Sequence, residues 1–113
     1  MLIPWRHGLC ASLLAVSAMT ALAEEGVSDN AVQIGQTIGL TGIIAGPVKE
    51  MNEGARACFD AVNRQGGVYG RKIEMRILDD KFDPKLAAAN AQTLVQKDRV
   101  FALFQSRGTP HTE

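Results

Sequence analysis

The chain has 113 residues, and its 12 lysine and arginine residues balance 12 aspartate and glutamate residues, so the formal net charge is zero. This balance argues against a nucleic-acid-binding domain and against a polybasic membrane-surface domain, both of which need a basic excess. A hydrophobic content of 46% and a charged content of 21% are ordinary for a globular chain and exclude disorder. Two cysteines exclude a disulfide-rich scaffold and a four-cysteine zinc site.

The amino end has the pattern of a secretory export signal. Arg6 precedes an uncharged apolar run over residues 9–22, and the small residues Ala21 and Ala23 form a signal-peptidase site. The apolar run is shorter than the about 20 residues that a membrane-spanning helix needs, which favours a removable signal over an anchor. We therefore expect residues 1–23 to be a signal peptide that is cleaved after Ala23.

Removal of the signal leaves Cys58 as the only cysteine, because Cys10 lies in the apolar run. A single thiol forms no internal disulfide in an exported protein. Cys58 falls within an apolar helical pattern, so we expect it to pack in the core.

The first two predicted elements are a strand and a helix joined by a glycine-bearing loop. Residues 32–38 are rich in β-branched residues and predict the strand, and residues 39–42 form the loop. The helix is predicted to begin at about Pro47 and to end at the pair Gly66 and Gly67. Its predicted buried face has helical spacing and consists of Met51, Ala55, Cys58, Phe59 and Val62.

Two further predicted strands flank a second helix. Apolar and charged residues alternate over 72–78, which predicts a strand with one partly solvated face. Asp83 and Pro84 predict the N-cap and the first position of a helix that continues to Lys97. The predicted buried stripe of this helix is Ala87, Ala91, Leu94 and Val95. The continuous apolar run over residues 100–104 predicts a central parallel strand that is covered on both faces.

The predicted order is β-α-β-α-β, an α/β fold in which right-handed crossovers make the strands parallel. Such a sheet binds ligands beyond the carboxyl ends of its strands, where residues 39–47, 79–83 and 105–110 form loops. Three parallel strands leave an open edge and an uncovered face, and the pattern stops where another helix is expected. We therefore expect residues 24–113 to be the first part of a larger domain.

The motifs indicate neither a cofactor, nor a metal ion, nor catalysis. The glycines of the first loop are not spaced as in a nucleotide-binding loop. Pro84 stands where a calcium loop needs a glycine, and the nearby aspartates are explained as turn and cap residues. Ser106 lacks the motif of a nucleophile elbow, and His111 is the only histidine of the mature chain. We therefore expect no cofactor, no metal site and no enzyme activity.

Polar residues at two strand ends are the candidate ligand site. Hydroxyls and free backbone amides at the start of a helix bind carboxylates well. The candidates are Thr41 and Gly42 before the first helix, and Ser106, Arg107, Gly108 and Thr109 before a predicted third helix. The hydroxyls suit helix capping as well as ligand contact, and Arg107 is either a charge for the ligand or a surface cation.

In this order and spacing, the motifs of the mature chain resemble the amino-terminal lobe of type I periplasmic binding proteins. The most similar group is the branched-chain amino acid (leucine/isoleucine/valine) binding proteins of ABC importers. The matching stretches are residues 34–42, 54–57, 61–73, 79–80, 83–84, 100–104 and 108–110. They cover nearly all of residues 27–113.

The resemblance implies a flavodoxin-like, three-layer lobe, followed by a second lobe that closes with it on a ligand. It implies that the loops after the first and third strands hold the α-carboxylate of the ligand. In this chain those loops carry Thr41, Gly42 and residues 106–109. A membrane ABC permease as partner and a periplasmic location follow from the same resemblance, with no nucleic-acid partner.

Two departures from the family pattern affect this loop region. Some members join the loops after the second and third strands by a disulfide, but Phe82 and Ser106 stand near those places here. Arg107 occupies a position where a small hydroxyl residue or glycine is frequent. It therefore either selects a more acidic ligand than leucine or points outward.

The leading functional hypothesis is a solute-binding component of an ABC importer for an amino acid or related small carboxylate. A ligand-sensing receptor with the same fold is distinguished by a fused membrane or signalling segment. An exported enzyme is distinguished by turnover of a ligand. A truncated, inactive remnant is the last alternative, and it predicts that the isolated chain is unstable and binds no ligand.

Overall fold

Strands and helices alternate along the chain, as the sequence predicts. The computed structural model of the chain describes residues 23–112, so the predicted export signal lies outside the described residues apart from Ala23. The elements are β1 (Ala31–Ile38), α1 (Ala45–Arg64), β2 (Lys72–Asp79), α2 (Pro84–Gln92), β3 (Ala102–Leu103) and α3 (Thr109–Thr112), and a π-helical turn over Thr93–Lys97 continues α2. The α/β class and the β-α-β-α-β order are confirmed.

The strands form a parallel sheet in the order β2-β1-β3. Ile34 of β1 lies opposite Met75 of β2 and Ala102 of β3, which fixes the register on both sides. Successive side chains of a strand point to opposite faces of the sheet. Gln36 contacts Asn52 of α1 and the adjacent Thr37 contacts Asn90 of α2, so the two helices cover opposite faces.

Helix α1 begins at Ala45, two positions before the predicted start at Pro47, and it has Val48 and Asn52 as its buried residues. Near its end, the Asn63 side chain accepts a hydrogen bond from Ile73 N (2.8 Å) and donates one to Ile73 O (2.9 Å). This pair of bonds attaches α1 to β2. None of the helices within residues 23–112 is long and apolar enough to cross a membrane.

The predicted core position of Cys58 is wrong, because its side chain is exposed. The residues of α1 that turn toward the sheet follow the line of Val48, Asn52, Ala55 and Phe59. At 3.6 residues per turn, Cys58 lies roughly 90° around the helix from the middle of this line. Apolar character at this position therefore did not mean burial.

Helix α2 begins as predicted. The Asp83 side chain accepts hydrogen bonds from Lys85 N (2.8 Å) and Leu86 N (3.3 Å), and Pro84 occupies the first turn. The helix ends in a π-turn, in which Asp98 N donates to Thr93 O. This wider turn keeps Leu94 fully buried but leaves Val95 48% exposed, so the prediction that Val95 belongs to the buried stripe is wrong.

The predicted central strand over residues 100–104 is also wrong for the part of the chain that the structure describes. Strand β3 has two residues and lies at an edge, whereas β1 is central. Two features limit the pairing of this segment with β1. Before β3, Val100 N donates to Leu94 O and not to a strand; after β3, Gln105 has a left-handed φ of 48°. Phe101 and Leu103 are 51% and 44% exposed.

Candidate functional site

Three loops meet at the edge where the parallel strands have their carboxyl ends. They are residues 39–44 after β1, residues 80–83 after β2 and residues 104–108 after β3. The last half of β1 is buried but polar at Gln36 and Thr37. Buried polar groups need hydrogen-bond partners, and here the partners come from the helices and the loops.

Gln36 joins β1 to the loop after β3. Its amide nitrogen donates to Asn52 Oδ1 at 3.2 Å and to Gln105 O at 3.4 Å. Its Oε1 atom is buried and has no hydrogen-bond partner among the described residues. The sequence interpretation missed Gln36 and Asn52. The adjacent polar residues Gln36 and Thr37, in the half of β1 nearest the loop, were the available signal for Gln36.

The loop after β1 is held by Asp79, the last residue of β2. Asp79 Oδ1 accepts hydrogen bonds from Leu40 N (2.9 Å), Thr41 N (3.3 Å) and Lys81 N (2.9 Å). Asp79 Oδ2 accepts the Thr41 hydroxyl proton at 2.6 Å. Both hydrogen-bond donors of Thr41, a predicted ligand residue, therefore point to Asp79.

The remaining predicted residue of this loop, Gly42, has a left-handed φ of 88°, and its carbonyl accepts a hydrogen bond from Ala45 N as α1 begins. Partial burial by itself would raise the pKa of the Asp79 carboxyl. The hydrogen bonds from Thr41, Lys81 and Leu40 outweigh this effect and lower that pKa below its ordinary value of 3.8. Asp79 is thus a charged group beside Thr41 at neutral pH.

Asp80 stabilises the start of the loop after β2 and its contact with β1. It is buried, and it accepts hydrogen bonds from Thr37 Oγ1 at 3.0 Å and from Phe82 N at 2.8 Å. Asn90 of α2 donates to Thr37 Oγ1 at 3.2 Å and to Asp79 O at 3.0 Å. The two aspartates at the end of β2 thus connect β1, α2 and both loops.

The loop after β3 and the first residue of α3 carry the other four predicted residues, and this segment differs from the loop after β1. The Ser106 and Thr109 hydroxyls and the exposed Arg107 side chain make no hydrogen bond or ion pair within residues 23–112. Gly108 has a left-handed φ of 110°, and its carbonyl accepts a hydrogen bond from His111 N. This segment therefore offers unused donors.

A cleft of about 700 Å³ lies beside Ser106 and extends to Thr37 and Ala91. The ring of His111 stacks on Phe82 with centroids 4.7 Å apart. This stack joins the loop after β2 to α3, close to where the resemblance places a disulfide between the loops after β2 and β3 in some members. In the part of the chain that the structure describes, no hydrogen bond connects Thr41 or Gly42 with residues 106–109.

Metal ligands are not gathered in the described part of the chain. Among residues 23–112, no group of three histidine, cysteine, aspartate or glutamate side chains could hold a metal ion. Asp79 and Asp80 hold backbone amides and hydroxyls, and Asp83 caps α2. These three aspartates therefore act as hydrogen-bond acceptors.

The chain is similar in sequence to known binding proteins. The sequence profile of the family described as "Periplasmic binding protein" matches residues 31–113. An "Amino acid binding protein" of Pseudomonas aeruginosa is 34% identical over 99 residues, which is 88% of this chain and 25% of that protein.

Two solved structures share this architecture. The "Fatty acid ABC transporter substrate-binding protein" of Thermomonospora curvata has 30% identity and a TM-score of 0.69, over 77% of this chain and 22% of that chain. The branched-chain amino acid transporter substrate binding protein LivJ of Streptococcus pneumoniae, in complex with isoleucine, has 28% identity and a TM-score of 0.62, over 66% and 21%. The chain spans about a quarter of the length of the curated relatives it matches.

Proposed function

Because the chain belongs to the periplasmic binding protein family, we propose that it supplies the start of the amino-terminal lobe of an exported solute-binding protein. In this proposal, residues 24–113 are the first part of that lobe, and a second lobe closes over the ligand. The complete protein delivers an amino acid or a related small carboxylate to a membrane ABC permease. Its action is binding and release, without covalent chemistry or a cofactor.

The observation that carries the proposal is the set of unused donors in the loop after β3. Ser106 lines a cleft at the carboxyl edge of the sheet, and Arg107 and Thr109, its near neighbours in sequence, add a guanidinium and a second hydroxyl. An arginine side chain suits a carboxylate especially well, because its two parallel N–H groups match the two oxygens. Two of the similar proteins support a carboxylate ligand. One is named for a fatty acid and the other was solved with isoleucine, and both of these molecules carry a carboxylate.

The proposed site comprises Thr41 and Gly42 in the loop after β1, Ser106, Arg107 and Gly108 in the loop after β3, and Thr109 at the start of α3. Both loops lie at the ends of neighbouring parallel strands, where α/β sheets bind their ligands. A ligand that contacts both lobes stabilises the closed form by its higher affinity for that form. A permease can then distinguish the closed, ligand-bound form from the open form.

Export belongs to the same proposal. The positively charged start, the apolar run and the small residues before Ala23 are the features of a cleavable signal over residues 1–23. Cleavage after Ala23 would release the mature chain into the periplasm. Mass spectrometry of the protein recovered from a periplasmic extract tests this, with Glu24 expected as the first residue.

The binding test uses the full-length protein encoded when the gene is read beyond the codon for Glu113. We expect isoleucine, glutamate or hexanoate to raise its melting temperature, since a ligand at 100 times its Kd adds about 2.7 kcal/mol to the free energy of unfolding. The variant Arg107→Gln should reduce the shift. Arg64→Gln, an exposed cation at the end of α1, is the matched control and should not.

Each alternative function predicts a different result. A protein that no carboxylate probe stabilises contradicts the proposal. Consumption of a probe would make it an enzyme instead, and a fused membrane or signalling segment in the longer reading frame would make it a receptor.

A further inference from the structure

Residues 24–30, which we call the amino-terminal hook, fold back onto the sheet directly after the proposed cleavage point. Resting on the proposed export, we propose that the closed hook protects the bond between Ala23 and Glu24 from signal peptidase. Hydrolysis of this bond consumes one water and leaves a carboxylate on Ala23 and an ammonium group on Glu24. Cleavage must therefore come before the hook closes, and a folded precursor is a poor substrate.

The hook is held to the central strand by its backbone. Val27 N donates a hydrogen bond to Glu24 O (3.2 Å), so a turn begins at the residue that follows the proposed cleavage point. Gly26 O accepts a hydrogen bond from Gln33 N of β1 at 2.7 Å, and Val27 forms an antiparallel bridge with Val32. The turn is therefore part of the folded sheet.

Gly26 packs directly against the segment that leads into β3. Its φ is 70°, and a Cβ atom at this position would overlap the backbone nitrogen of Phe101. Glycine alone combines a left-handed φ with so close an approach at little cost. Gln33 O accepts a hydrogen bond from Phe101 N at 2.8 Å, so Gln33 binds the hook and the β3 segment side by side.

Two arginines attach the hook at either end. The Arg99 guanidinium forms an ion pair with the Glu25 carboxylate, and Arg71 Nε donates a hydrogen bond to Ser28 O at 2.7 Å. Arg99 and Glu25 are both exposed, and an exposed ion pair stabilises little. The packing of Gly26 and its backbone hydrogen bond are therefore the main attachment.

Conformation rather than burial protects the bond. Ala23 and Glu24 are both exposed, so a protease can reach them. A protease nevertheless acts on a folded segment only after that segment has opened locally, and the rate then follows the population of the open form. The turn that starts at Glu24 must leave β1 before the bond can enter an active site.

Cleavage of the full-length precursor by purified signal peptidase in detergent micelles tests the inference, with mass spectrometry as the readout. We expect the folded precursor to be cleaved at least about tenfold more slowly than precursor diluted from urea at the moment of mixing. Gly26→Ala should speed cleavage of the folded precursor by about tenfold or more, because the added methyl group forces the hook open.

Two glycines outside the hook provide matched controls. Gly54→Ala adds a methyl group in open space on α1 and should leave the rate unchanged. Gly39→Ala crowds Ile44 at the other end of β1, so it lowers stability without touching the hook. It should change the rate by less than about twofold, because local opening rather than global unfolding exposes the bond.

A second pair of variants covers the case in which Gly26→Ala does not fold. Arg99→Gln removes the partner of Glu25 and should speed cleavage by about two- to fivefold, as expected for an exposed ion pair. Arg64→Gln removes an exposed cation at the end of α1 and should not change the rate. Equal rates for these two variants would overturn the inference.

Two further results would also overturn it. One is equal cleavage of the folded and the freshly diluted parent precursor. The other is an acceleration by Gly39→Ala as large as that by Gly26→Ala, which would mean that global unfolding exposes the bond. A parent precursor that is not cleaved after Ala23 even when unfolded contradicts the proposed export signal itself, and the inference then fails with it.

Discussion

Lys81 and Phe82 adopt left-handed backbone conformations one after the other, with φ values of 53° and 62°. Each such residue costs about 1–2 kcal/mol when it is not glycine. Asp79 accepts a hydrogen bond from Lys81 N and Asp80 accepts one from Phe82 N, so each left-handed residue is held by the carboxylate two positions earlier. The loop after β2 is thus shaped by an aspartate pair rather than by glycines.

This geometry predicts that glycine is tolerated at position 81. Lys81→Gly removes the left-handed penalty but increases the entropy of the unfolded chain, so the free energy of unfolding should stay level or rise by up to about 1 kcal/mol. Lys49→Gly, at another exposed lysine but inside α1, should lower it by about 1 kcal/mol. Urea unfolding of the two variants makes the comparison. Equal losses would mean that the conformation at Lys81 is not left-handed in solution.

The hydrogen bonds to Asp79 predict a pH dependence of stability. Its pKa is lower in the folded protein than in the unfolded chain, so its contribution is present above about pH 3.8 and is lost as the pH falls through the folded pKa. The difference in unfolding free energy between the parent and Asp79→Asn should shrink below pH 3.8. Urea titrations between pH 3 and pH 6 measure this difference. Asp29→Asn, which removes a carboxylate whose side chain makes no hydrogen bond among the described residues, is the matched control.

Helix α2 and its π-turn show how the geometry at the end of a helix determines which residues are buried. Asp83 and Pro84 define the start of the helix, as local sequence predicts. At the other end the π-turn allows Leu94 to pack against Gly35 of β1, where a Cβ atom would lie 3.2 Å from Leu94 Cδ2. Gly35 therefore lets α2 approach the central strand closely.

Adjacent residues of the π-turn should lose very different amounts of stability on truncation. Leu94→Ala should lower the free energy of unfolding by about 2–5 kcal/mol, because Leu94 is fully buried. Val95→Ala should change it by less than about 0.5 kcal/mol, because this side chain is half exposed. Chemical denaturation of the two variants tests the pair. A loss from Val95→Ala as large as that from Leu94→Ala would instead support the regular buried stripe that the sequence predicts.

Local signals predicted the elements well, and the errors have a common cause. Asp83, Pro84 and the pair Gly66 and Gly67 gave helix limits because capping and left-handed turns depend on neighbours in sequence. The burial of Cys58 and Val95 depends instead on how a helix is rotated on the sheet. A regular period cannot show that rotation, and it cannot show a π-turn.

The two faces of the sheet are not equally covered in the described part of the chain. Next to α1 an apolar cavity of about 410 Å³ opens at the edge of the sheet. Its lining is entirely apolar and includes Ile34, Phe59, Phe101 and Leu103. We call this region the β3 face. Exposed apolar surface beside an unpaired strand edge promotes association.

A chain that begins at Glu24 and ends at Glu113 is therefore expected to self-associate. Its weight-average mass in sedimentation equilibrium should rise with concentration, and Phe101→Lys should lower it toward the monomer value. Ile43→Lys introduces the same charge at a residue that is 88% exposed but lies outside the β3 face. This control should leave the association unchanged. An equal effect of both lysines would mean that net charge, rather than the β3 face, controls association.

The edge at which the loops after β1 and β3 meet was predictable, but the hydrogen bonds within those loops were not. Parallel strands place their carboxyl ends at one edge, so the loops that carry Thr41 and Ser106 followed from strand order. The partner of Thr41 did not, because Asp79 lies far from it in sequence and reaches it only through the pairing of β1 with β2. The hydrogen bond from Thr41 to Asp79 therefore depends on the three-dimensional pairing of β1 with β2, which local sequence does not show.

The central place of β1 has a consequence for the order in which the protein is made. Among the strands that the structure describes, β1 is synthesised first, but its partners begin only at Lys72 and Ala102. Both of its hydrogen-bonding edges stay open until α1 has emerged, and one stays open until α2 has followed. A chaperone that holds this segment during synthesis or translocation would protect the strand on which the rest of the sheet assembles.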